Sequence, residues 1–259
     1  MTVEHPVQKA IPAATLVIFR EGEPGDTPVQ LLMVRRADTM VFAAGAAVFP
    51  GGRVDADDQY LAKIFAPALE PDDGAARIAA IRETLEETGL AVGIAHQSSA
   101  AILADARKAI LKGTDFSEIV QAHGWVLHPD QLIPFARWRP AHLHERIFDT
   151  RFYIAHDHQG TSEVTVDTSE NSHAFWTSAQ AMIDRADSDE GHIIYPTRRN
   201  LERLAQFASF AEARDHALAH DVRIITPYFE ERYGERHLCI ESGLGYPVTS
   251  EPVRSIKRG

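Results

Sequence analysis

The chain has 259 residues, 44% of them hydrophobic and 24% charged, enough for an ordinary buried core without disulfides or a structural metal. Its 26 Lys and Arg stand against 37 Asp and Glu, a formal net charge of −11 that repels a phosphate backbone and argues against nucleic-acid binding. Cys239 is the sole cysteine, so an intrachain disulfide is excluded. No apolar run approaches the ~18–20 residues of a bilayer span, and neither a secretory pattern nor a Ser-Lys-Leu ending is visible, so the expectation is a cytoplasmic protein away from membranes.

Residues 13–20 and 29–35 are apolar, partly β-branched runs on either side of a Gly- and Pro-rich segment, and are expected to pair as antiparallel strands. Residues 46–49 form a third apolar run that stops at Pro50-Gly51-Gly52. Beyond Pro71, Ile78, Ile81 and Leu85 recur at i, i+3 and i+7 and predict a helix, with Asp72 or Asp73 as its cap and Gly89 just past its end. Residues 98–131 read as a helical insertion, with helices at 100–111 and 116–123 split by Gly113-Thr114. Strand character returns at 148–155, then at 174–177 ahead of a short helix at 178–185. Residues 197–220 are expected as one long helix capped by Thr197, opening a C-terminal helical extension over 197–259 with a last strand at 222–225. Strands, then a helix, then strands again predict an α/β fold: a mixed sheet with helices on its faces, in one domain.

The chemistry concentrates in Arg82-Glu83-Thr84-Leu85-Glu86-Glu87-Thr88-Gly89-Leu90. On a helix, Glu83, Glu86 and Glu87 share one face, where like charges repel. Glu86 and Glu87 also stand in the last turn, where the macrodipole favours cations. Two local rules are broken at once, which is how functional sites tend to announce themselves. A hard divalent cation, Mg²⁺ or Mn²⁺, would relieve both penalties. A solvated acidic turn is the plain alternative for Glu86-Glu87 taken alone.

Taken with Phe49-Pro50-Gly51-Gly52, the segment resembles the signature of the Nudix hydrolases, whose box runs Gly, five residues, Glu, seven residues, Arg-Glu-U-x-Glu-Glu-x-Gly-U with U bulky and apolar. The match has departures. Asp58 occupies the place of the first Glu, 23 residues instead of seven separate it from Arg82, and Thr84 replaces an apolar residue. An interrupted box of this kind is similar to that of coenzyme A and acyl-CoA diphosphatases, as are Leu31–Arg36, Trp138-Arg139-Pro140 and Arg146–Tyr153. Against that subgroup, Ala43 and Ala46 stand where some CoA-cleaving relatives carry His and Glu.

The resemblance implies an α/β/α sandwich and a metal-dependent attack of water on the pyrophosphate of a nucleoside diphosphate joined to another moiety. It assigns Glu83, Glu86, Glu87 and the Gly51 carbonyl to the metal and Glu83 or a late carboxylate such as Glu170 to the general base. Arg82, one residue off that helix face, is placed either to orient Glu83 or to hold the neighbouring loop by a bidentate contact. Glu163 is a second candidate for the late carboxylate. Arg35, Arg36, Phe42 and Gly52 are substrate-contact candidates, and Arg198 and Arg199 are weaker ones for phosphate. CoA or an acyl-CoA leads as substrate, ADP-ribose or a nucleotide sugar is the alternative, and a non-catalytic nucleotide sensor is the reading from another class. The expected partner is a small nucleotide derivative, with a homodimer as a candidate assembly. His216 and His220 lie at i, i+4 but lack a third ligand at zinc spacing.

Overall fold

A computed structural model describes residues 10–21, 29–37, 43–95, 98–140, 147–157, 164 and 171–256. The strands β1 (Ile11–Arg20), β2 (Gln30–Arg36), β3 (Ala47–Val48) and β4 (Gly51–Arg53) lead to helices α1 (Ala56–Phe65) and α2 (Pro71–Thr88). A short β5 (Ile94–Ala95) precedes α3 (Ala100–Leu111), α4 (Phe116–His123) and β6 (Val126–Leu127). Then follow β7 (Ile133–Trp138), β8 (Phe148–His156), β9 (Asn171–Thr177), α5 (Ala179–Asp187), α6 (Tyr195–Leu204) and α7 (Phe210–Leu218). The described chain closes with β10 (Ile224–Ile225), β11 (Tyr228–Arg232), β12 (Glu235–Cys239) and β13 (Ser250–Pro252).

Eight strands form one mixed sheet in the order β10-β7-β8-β1-β2-β3, with β4 also on β1 and β9 also on β2. The pairs β1–β8 and β7–β10 are parallel, while β1–β2 is antiparallel as expected. The sheet is buried on both faces because β1 alternates two apolar sets. Ala14, Leu16 and Ile18 enter a core shared with α1, α2, α3 and α4. Val17 and Phe19 enter a second core shared with α5, α6 and α7. Helices thus cover both sides of a mixed sheet, as the strand and helix order implied.

Helix α2 is fixed from both ends. Its stripe of Ile78, Ile81 and Leu85 is fully buried. Gly89 takes a left-handed φ of 76°, as a C-terminal glycine should. The start differs from the expectation: Glu70 is the cap, its carboxylate accepting from the Asp72 and Asp73 N–H groups, with Pro71 in the first turn. Helix α1 has no counterpart in the sequence reading. It carries Asp58 in its first turn, supplies the start of the expanded spacer before Arg82, and packs on α2 and α4.

The expected single helix at 197–220 is two helices. Thr197 lies buried inside α6, which begins at Tyr195 with Ile194 as its cap. The break falls before Ser209, whose Oγ accepts from the Glu212 N–H while the Glu212 carboxylate accepts from the Ala208 N–H. That reciprocal arrangement is a helix start written as Ser-x-x-Glu, a signal present in the sequence. Beyond α7 the extension adds the small antiparallel sheet β11-β12-β13, which periodicity did not reveal.

Candidate active site

Helix α2 carries Glu83 and Glu87 onto the turn at Gly51-Gly52, with Glu86 beside Arg82. The Gly51 N–H donates to Glu87 Oε2 at 2.9 Å, and the Asn171 side-chain amide donates to Glu87 Oε1 at 3.0 Å. A Cβ at Gly52 would lie 2.2 Å from Glu83 Oε1, so a side chain there would have to push the carboxylate aside. The two halves of the motif, 31 positions apart at Gly52 and Glu83, therefore touch.

Arg82 is the hub behind them. Its Nε and Nη2 each donate to the Asp58 carboxylate at 3.0 Å, and Nη2 also donates to the Arg53 carbonyl at 2.9 Å. Its Nη1 lies 3.0 Å from Glu83 Oε1 and 3.3 Å from Glu86 Oε2. Asp58 is fully buried, and besides holding Arg82 it accepts the Asp55 N–H at 2.8 Å in a capping box for α1. The aspartate therefore binds the box arginine in a forked, charge-assisted pair, despite the long spacer. Arg82 thus meets both Glu83 and the backbone of the neighbouring loop at Arg53.

Burial pushes the Glu83 carboxyl up to about 8; Arg82 pulls it down, while Glu87, Glu86 and Asp58 add to the rise. Its side chain still keeps 15% of its surface open. A crowded, partly accessible group of hard oxygen donors suits a divalent cation in charge and chemistry. In this structure Arg82 engages two of the three carboxylates, and among the described residues no three acidic, His or Cys side chains are gathered as a ready metal-holding group.

The last turn of α2 receives a cation from elsewhere. Arg107 of α3, 8% exposed, donates from Nε to the Glu86 carbonyl at 2.7 Å and from Nη2 to the Glu87 carbonyl at 2.9 Å. It satisfies carbonyls that the helix end leaves open and offsets the negative end of the dipole. The helical insertion is thereby tied to the backbone of the two glutamates. Sequence reasoning missed Arg107 and Asn171, because both meet α2 only through tertiary contact.

The remaining candidates divide. Arg35 and Arg36 point to opposite faces of β2. Arg35 lines a cleft of about 330 Å³ with His173, Phe175, Arg185 and Glu190 on the α5 side. Arg36 pairs in register with Asn171 on the α2 side. Phe42, Glu163 and Glu170 lie outside the described residues. Arg198 and Arg199 are committed to structure: Arg198 meets Asp187 and Glu202, and Arg199 meets Glu202 and Glu251. Arg199 is 1% exposed, so the expected phosphate contact is replaced by a tie to the C-terminal segment.

No protein-family model matches the sequence. The crystal structure of a Nudix hydrolase from Alicyclobacillus acidocaldarius is similar at 30% identity and a TM-score of 0.71, covering 80% of this chain and 96% of that one. The NUDIX domain of Shewanella oneidensis NrtR, complexed with ADP ribose, is 12% identical with a TM-score of 0.39 over 75% of this chain and 86% of that one. A C. elegans Ap4A hydrolase binary complex is 13% identical with a TM-score of 0.37 over 80% and 93%. The last two are too distant to bear on substrate. The first, together with the assembled motif, shows that the chain belongs to the Nudix hydrolases, enzymes that cleave pyrophosphate bonds and generally use a divalent metal such as Mg²⁺ or Mn²⁺.

Proposed function

We propose that this enzyme hydrolyses the pyrophosphate of a nucleoside diphosphate joined to a second moiety, with Glu83, Glu86, Glu87 and the Gly51 carbonyl as the residues that would hold Mg²⁺ or Mn²⁺. The observation that carries this reading is the packing of Glu83 and Glu87 of one helix face on Gly51-Gly52, with Glu86 beside them on Arg82 and Glu83 raised to about 8 by burial and its acidic neighbours. The cation, when bound, supplies charge neutralisation to the phosphates and acidity to water.

The residues divide the remaining work. Arg82, anchored by Asp58, orients Glu83 and Glu86. Glu83 is the candidate general base, since it is buried beside the turn yet open to water on part of its surface. Glu170, one position before Asn171, is the alternative base. Arg36, on the α2 side, is the leading candidate phosphate contact, Arg35 is a second candidate from the cleft on the opposite face of β2, and Phe42 is a candidate contact for the base or acyl part. Gly52 is the backbone position that lets Glu83 close on the turn.

Coenzyme A or an acyl-CoA is the leading substrate class. Support comes from the interrupted box, in which α1 separates the glycine turn from α2 without breaking the Asp58–Arg82 pair. The test is chromatographic product analysis with Mg²⁺ or Mn²⁺ on CoA, acyl-CoAs, ADP-ribose, NADH, nucleotide sugars and dinucleoside polyphosphates. A Glu86→Gln/Glu87→Gln variant runs alongside. Metal-dependent cleavage lost in that variant supports the site, and fastest turnover of ADP-ribose or a nucleotide sugar would replace CoA. Binding without turnover of any compound would overturn the hydrolase reading in favour of a nucleotide sensor.

A further inference from the structure

Strand β9 contains an irregularity with a consequence for the site. From Thr177 to His173 it pairs residue for residue with Leu31 to Arg35, but the next partner of Arg36 is Asn171, so Ser172 is an extra residue. Trp176 and Ala174 of this strand pack in the α2 core, and Phe175 in the other. Strict alternation would send Asn171 to the side of Phe175. The bulge turns it to the α2 side instead, where its amide reaches Glu87.

Asn171 is 0% exposed. Its Nδ2 donates to Glu87 Oε1 at 3.0 Å, while Oδ1 is buried with no hydrogen-bond partner among the described residues. An acceptor left empty in the interior is costly, and such groups call for a reason. Together with the Gly51 N–H on Oε2, the amide holds Glu87 from both sides.

We propose that Asn171 is a positioning residue of the catalytic centre, aimed by the bulge at Ser172 so that its amide orients Glu87 for a divalent cation. This rests on the metal assignment of the preceding subsection. Groups that orient a ligand from behind change metal affinity by about 10–100-fold when removed.

The experiment is Mn²⁺ binding to the full chain, read from the electron paramagnetic resonance signal of free Mn²⁺. Wild type, Asn171→Ala, Asn171→Leu and Glu86→Gln/Glu87→Gln are compared, with thermal unfolding to verify that each is folded. Leucine keeps the volume and removes the amide; alanine removes both. The expected result is a loss of about tenfold or more in Mn²⁺ affinity in both Asn171 variants, with turnover recovering at raised Mn²⁺. Wild-type affinity in Asn171→Leu, or in Asn171→Ala if only that variant folds, overturns the role of Asn171 and leaves the metal site standing. Equal Mn²⁺ binding by wild type and Glu86→Gln/Glu87→Gln overturns both.

Discussion

Asp58→Ala probes the pair on which the site is built. The mutation removes a fully buried carboxylate that takes two hydrogen bonds from Arg82 at 3.0 Å and one from the Asp55 N–H. Deleting one partner of a buried ion pair costs about 3–5 kcal/mol, because the other charge is left in the interior. Arg82 retains Glu83 at 3.0 Å and Glu86 at 3.3 Å, which puts the loss near the lower bound, about 3 kcal/mol. Loss of the acceptor for the Asp55 N–H at the start of α1 adds about 1 kcal/mol. Unfolding in urea, analysed by linear extrapolation, should therefore show the variant about 4 kcal/mol less stable with an unchanged slope. Asp58→Asn keeps the shape but surrenders the charge, and should fall about midway, since charge-assisted bonds are roughly twice as strong as neutral ones. A loss below about 1 kcal/mol in Asp58→Ala would refute the reasoning. Arg82 would then be held as well by the glutamates alone, and the acidic residue ahead of the spacer would have no structural role.

Three further outcomes are expected. Gly52→Ala places a Cβ against the Glu83 carboxylate, so kcat/KM should fall on the order of 100-fold with an unchanged circular dichroism spectrum; activity within about threefold of wild type would contradict the contact. Arg107→Met keeps the apolar stem but strands the Glu86 and Glu87 carbonyls, and urea unfolding should record a loss of about 2–3 kcal/mol; less than about 0.5 kcal/mol would mean water replaces the guanidinium. Burial, Arg203 and the stacked His220 ring lower the His216 pKa from 6.5 to about 4. The folded protein then resists a proton that the unfolded chain takes up, so this contribution is intact above pH 6.5 and is lost as pH falls toward 4. The Tm of wild type relative to His216→Phe should decline across that window, and a constant difference would count against it.

Much of the site was legible because its signals are local. Glu83, Glu86 and Glu87 fall on one helix face by the 3.6-residue period alone, and Gly89 ends that helix by its freedom at positive φ. Counting from Gly52 reached Asp58, and Asp58 is indeed the residue that grips Arg82. Helix α1 escaped notice because its buried residues are few, with only Asp58, Leu61 and Ala62 facing inward. The break at Ser209 was signalled by a capping pair, yet an unbroken run of helix formers around it outweighed that cue.

The sequence by itself determined the alternating apolar sets of β1, the buried stripe of α2, and the three carboxylates beside a glycine turn. Those features depend on periods of two and 3.6 residues and on the conformational range of glycine, all of which are properties of neighbouring residues. Only the tertiary structure decided that Arg35 and Arg36 serve opposite faces, that Arg107 of the insertion closes the end of α2, and that one extra residue in β9 brings Asn171 to Glu87. Arg107 and Asn171 stand 21 and 84 positions away from the glutamates whose backbone and carboxylate they respectively meet, and no local period connects residues across that distance. The packing of the two cores on one sheet does.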